Sequence, residues 1–133
     1  MREILFRGKR IDNGEWEYGG CVFTENKVCL IYNQTHSIDL QGFTVEENSV
    51  GQYAGLTDKN GKKIFEGDII KATDSVPEYS LMVIRAEGYG YFVDYYFGGE
   101  KYDTEQIHDA DWFLSDEVIG NIHENPELLE VTK

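Results

Sequence analysis

Residues 55–71 read Gly55-Leu56-Thr57-Asp58-Lys59-Asn60-Gly61-Lys62-Lys63-Ile64-Phe65-Glu66-Gly67-Asp68-Ile69-Ile70-Lys71, and this stretch restricts the fold more than any other. Asn60-Gly61 lies between apolar-bearing flanks. A two-residue type I′ loop needs φ > 0 at both central positions, which Asn tolerates and Gly adopts freely, so the pair predicts a β-hairpin. Asp58 places a carboxylate where it can accept backbone N–H groups just ahead of the turn. Glu66-Gly67-Asp68 then interrupts the apolar pattern and predicts a second tight bend at Gly67, feeding a strand from Ile69. Glycines beside lysines also raise a phosphate-cradling loop. That loop requires G-x-x-x-x-G-K-[ST] opening a helix. Gly61-Lys62-Lys63 lacks the upstream glycine and leads into the strand-like Ile64-Phe65. Backbone geometry explains these glycines, and nothing in the stretch performs chemistry.

The flanking sequence continues the same pattern. Residues 3–8 predict a first strand, and Asp12-Asn13-Gly14 a second Asn-Gly turn. In Glu15-Trp16-Glu17-Tyr18, Trp16 and Tyr18 alternate with the two glutamates, the period of a half-buried strand. Gly19-Gly20 predicts a bulge or a close backbone approach before Cys21 to Thr24. Strands are also expected at Lys27 to Tyr32, Tyr79 to Ile84 (apolar on both faces, hence central), Tyr91 to Phe97 and Val118 to Ile122. Residues 33–50 read as polar and irregular, with short strand pieces near Ser37 to Leu40, and residues 100–112 as acidic and ambiguous. Asn125-Pro126-Glu127-Leu128-Leu129 predicts a short helix with Asn125 as N-cap and Pro126 at its first position. The expectation is a mainly β fold: a hairpin-rich, strongly twisted sheet or small barrel with one short carboxy-terminal helix. At 133 residues it is a single domain, 1–133, with two lobes of about 1–54 and 55–133 as the alternative division.

Hydrophobic residues at 41% and charged residues at 28% place the chain among folded globular proteins. Net charge is −13, and residues 87–133 hold twelve acids against Lys101 and Lys133. Such a field repels nucleic acid and attracts a basic partner. The bland reading is a solvated, solubilising surface. Charged residues interrupt the amino end, which does not resemble a signal peptide. The longest clean apolar run, Val28 to Tyr32, is too short to span a bilayer. Cys21 and Cys29 lack a C-x-x-C or nearby His context, so two buried free thiols in a reducing cytoplasm are expected.

Three blocks together resemble the YopX family of phage and prophage proteins: Ile4 to Arg10 with Asn13 to Trp16, Val50 to Ile69, and Val118 to Leu129. They stand in the family's order and span nearly the whole chain. A small departure is Gly19-Gly20, where the family suggests an aromatic beside the glycine. The resemblance implies a predominantly β fold, a phage or bacterial origin and a cytoplasmic location. It implies no established activity and supplies no catalytic residues.

Candidate sites are read from residue chemistry. Asp103, Glu105, His108, Asp109 and Asp111 are a dense set of oxygen and imidazole donors able to hold a divalent cation for hydrolysis. EF-hand spacing is absent, and an acidic loop with one His is more often solvated surface. His123-Glu124 lacks any accompanying nucleophile motif, and His36 lies in a polar loop. The Tyr89 to Phe97 strand offers Tyr91, Tyr95, Tyr96 and Phe97 as interface candidates. A nucleic-acid stacking platform would carry Lys and Arg beside the rings, and here Glu87, Asp94 and Glu100 stand instead. Asn13, Gly14, Asn60, Gly61 and Gly67 are structural turn positions. The leading expectation is a non-enzymatic protein-binding or assembly module, without a cofactor and without a membrane span. Its partner is a basic host protein, with a second copy of the chain as the other option. A sharper form is a partial charge mimic of DNA. The rival classes are a small metal-dependent hydrolase on residues 103–111 and a nucleic-acid-binding β module using the basic amino end with Lys62-Lys63.

Overall fold

The computed structural model describes residues 4–24, 29–34, 40–72, 81–88, 90–108, 112–113 and 115–130, with backbone alone at 29–30, 32–34 and 40–41. The fold is mainly β, as expected, and every pairing of named strands is antiparallel. The chain divides into two compact units, Met1–Tyr53 and Ala54–Lys133.

In the amino-terminal unit, β1 (Phe6–Lys9), β2 (Trp16–Phe23), β3 (Cys29–Gln34) and β4 (Leu40–Val45) stand in the order β4-β3-β2-β1. The first residues of β5 (Gly51–Thr57) pair with β1 on its other side. Asp12-Asn13-Gly14 does turn β1 into β2, but not as a two-residue loop. Gly14 N–H donates to the Arg10 carbonyl, and the Asn13 side-chain oxygen accepts the Glu15 N–H. That Asx bond commits Asn13 to a longer loop, with Gly14 at φ 75° in the left-handed region. The expected bulge at Gly19-Gly20 is replaced by a change of partner. Residues 16–19 pair with β1 and residues 20–23 with β3, without a register shift.

Two further sequence expectations fail in this unit. Strand β4 lies where residues 33–50 read as irregular, because its weak Leu-Gln-Gly-Phe-Thr-Val pattern becomes a strand only by pairing along β3. Cys21 is half-buried rather than buried; the Cys29 side chain and His36 lie outside the described residues. Ile31 and Val45 form the small core, with Phe6, Cys21 and Val50 packed against them. Gly8 keeps that core closed. A Cβ there would stand 2.7 Å from Val45 Cγ2 and 2.9 Å from Val45 Cβ.

In the carboxy-terminal unit, β6 (Lys63–Phe65) neighbours β5, and a five-stranded sheet has the order β10-β9-β8-β7-β11. Its strands are β7 (Asp68–Lys71), β8 (Leu81–Glu87), β9 (Gly90–Phe97), β10 (Glu100–Gln106) and β11 (Glu117–Asn121). One face packs Ile70, Met82, Ile84, Val93 and Val118 with Ala54, Leu56, Ile64 and Phe113. Each such aliphatic side chain contributes about 1.5–3 kcal/mol on burial. Strand β10 lies in the acidic stretch that the sequence left ambiguous. It is exposed along nearly its whole length, so no apolar alternation announces it.

The Gly55–Lys71 stretch folds into its two turns, the first in an altered form. Gly61 N–H donates to the Asp58 carbonyl, so Lys59 and Asn60 form the corner and Gly61 follows at φ 77°. This is a three-residue loop rather than type I′. The cause is Asp58, whose Oδ1 accepts the N–H groups of Asn60 and Lys62 at 2.8 and 2.9 Å. At the second turn, Gly67 has φ 93° and Asp68 Oδ2 accepts the Phe65 N–H. The expected carboxy-terminal helix is only a 3-10 turn, Pro126–Leu129. Asn125 does not cap it, because its side-chain oxygen instead accepts the Asn121 N–H.

Candidate interaction groove

In the carboxy-terminal unit, the exposed apolar residues Phe97, Ile119 and Leu128 gather beside one edge of the sheet. Cross-strand register places Lys71 opposite Leu81 and Leu81 opposite Tyr96. Side chains in such a row project to the same face. Beyond Lys71, the β11 register shifts between Val118 and Gly120, and Ile119 is left at the shift, 36% exposed. At the other end of the row, Gly98 and Gly99 turn β9 into β10 with φ of 62° and 87°.

These residues, with Phe97, Leu128, Leu129 and Glu130, line a groove of about 400 Å³. That volume accommodates a small ligand or one or two apolar side chains. The wall made by Leu128 and Leu129 depends on a local lock. Asn121 Oδ1 accepts the N–H groups of His123 and Glu124, while Asn125 N–H donates to the Asn121 carbonyl. Gly120 permits this, since a Cβ there would stand 2.5 Å from Asn125 Oδ1. Among the described residues, Lys71 and Glu130 are the only charged ones of the lining. A hydrophobic concavity with two opposite charges suits binding of an apolar side chain.

Above the groove on the same sheet face, Asp94 joins three strands. Arg85 Nε and Nη2 donate to its two oxygens at 2.9 and 3.2 Å, and the Thr104 hydroxyl donates to Oδ1 at 2.8 Å. Burial pushes the Asp94 carboxyl up, but these bonds outweigh it and hold the group below its ordinary value. Arg85 also lies over the Phe92 ring and pairs with Glu87. This network braces the sheet.

The structure separates the four aromatic candidates. Tyr91 and Tyr95 pack against the core. Burial first, and then donation to the Glu105 carboxylate, push the Tyr95 hydroxyl well above its ordinary value, with a bond from Trp112 acting the other way. Tyr96 and Phe97 line the groove together with Leu81, Ile119, Leu128 and Leu129, which sequence reasoning missed. The adjacent Leu128-Leu129 after a proline was their one visible signal.

Among the metal candidates, Asp103 accepts the Thr104 N–H, Glu105 engages Tyr95, and His108 is exposed. Asp109 and Asp111 lie outside the described residues, and no three such donors gather among the described ones. The turn residues Asn13, Gly14, Asn60, Gly61 and Gly67 lie in the loops given above. Among the described residues, no helix is long and apolar enough to cross a membrane.

No curated protein matches the chain. In fold it is similar to the crystal structure of protein EF1440 from Enterococcus faecalis, at 23% identity and a TM-score of 0.60, over 98% of this chain and 100% of that one. The family model described as YopX protein matches residues 5–130, which include all the strands above and the groove-forming turn. The chain therefore belongs to the YopX family.

Proposed function

We propose that this YopX-family chain is a non-enzymatic protein-binding or assembly module, carried by a phage or prophage and acting in the cytoplasm of its bacterial host. The observation that carries the reading is the groove. Phe97, Ile119 and Leu128 are 47%, 36% and 37% exposed around one concavity, an arrangement that binding would bury at a gain of ~25 cal/mol per Å². The proposed partner is a basic host protein, in keeping with the net charge of −13.

Affinity capture from bacterial lysate tests this with the wild-type chain and a Phe97→Asp variant. A protein retained by the wild type and lost from the variant is the expected result. Equal retention by both removes the groove from the function.

A further inference from the structure

We infer that the groove's occupant is a cationic peptide segment whose apolar side chain enters between Phe97 and Leu128, with flanking Lys or Arg against the rim; this rests on the protein-binding reading above. The floor is apolar, so an apolar anchor is required. Carboxylates in the lining, or next to it in sequence and register, would select its flanks. Glu100 follows the Gly98-Gly99 turn, Glu117 stands opposite Lys71 in the β7–β11 pairing, Glu127 adjoins Leu128, and Glu130 is part of the lining. Glu117 is already paired with Lys59 at 3.9 Å, which leaves Glu100, Glu127 and Glu130 set against Lys71 and Lys101, the latter opposite Tyr96.

Charge also argues against a second copy as occupant. Two chains of −13 repel one another, whereas a basic segment is drawn in, an effect on association of tenfold or more at low salt. Rim carboxylates and the apolar floor thus specify one ligand type: Lys/Arg flanks around Leu, Ile or Phe.

Fluorescence anisotropy of the full chain against two labelled peptides tests it. One has a central Leu-x-x-Leu flanked by Lys and Arg; the other has the same centre flanked by Glu. The cationic peptide is expected to bind at least tenfold more tightly, to weaken severalfold between 50 and 300 mM salt on the order expected for screened charges, and to lose binding to Leu128→Asp and to Phe97→Asp. Circular dichroism on both variants confirms folding. Equal affinity for the two peptides, or binding that survives both substitutions, overturns the inference. A dimer in light scattering that Leu128→Asp dissociates would give the groove to a second copy and overturn it also. If neither peptide binds while Phe97→Asp still abolishes lysate capture, the cationic-segment inference fails and the protein-binding reading stands. Loss of neither means that both fail.

Discussion

Asp58 is 3% exposed, and its two carboxylate oxygens accept three backbone N–H groups. Two belong to the adjacent loop; the third is Val118 N–H at 3.0 Å, sixty residues away in β11. Lys59 reinforces the same junction, its N–H donating to the Asp116 carbonyl. Burial raises the Asp58 carboxyl, but the three N–H bonds outweigh burial and hold it below its ordinary value of 3.8. Because the folded group titrates below the unfolded one, its stabilisation is present above that value and is lost as pH falls through the folded pKa. Asp58→Asn keeps an acceptor for the loop and turns an NH₂ toward Val118 N–H. We expect it to lower unfolding free energy at pH 7 by about 2 kcal/mol, and the gap to wild type to close as acid protonates Asp58. Urea titrations of both proteins from pH 7 to pH 3 measure this. A constant gap would assign the effect to shape rather than charge.

At the scale of elements, glycines divide into those that admit a neighbour and those that only link strands. Gly8 in β1 faces Val45, and Gly120 in β11 faces Asn125, each at under 3 Å from an added Cβ. Gly8→Ala is expected to cost about 1–3 kcal/mol by overpacking. Gly120→Ala should cost a similar ~1–3 kcal/mol and also displace the Leu128-Leu129 wall, weakening groove binding. Gly20, with open space around it, should accept Ala within about 0.5 kcal/mol. Thermal melts of the three variants decide this, and a large loss at Gly20 would contradict the packing described. The strands were unevenly legible in sequence. Strand β8 is central and apolar on both faces, so composition alone marks it. Strands β4 and β10 lack that signal, since β10 is exposed along its length and β4 draws its order from β3.

At the scale of the whole molecule, a net charge of −13 opposes compaction. Raising salt from 10 to 300 mM is expected to increase the melting temperature by roughly 2–4 °C, equivalent to about 1 kcal/mol; a fall would mean that ion pairs outweigh repulsion. The sequence by itself determined the β class, the turn positions and the family, because turn chemistry and alternation act over a few residues and survive without context. Turn type escaped it at Asn60-Gly61, where an Asp58 side chain competes for the backbone. Only the tertiary structure decided that Tyr91 and Tyr95 pack inward while Tyr96 and Phe97 join Leu81, Ile119 and Leu128. A groove is a property of register between strands distant in the chain, and no local propensity encodes which side chains that register brings together.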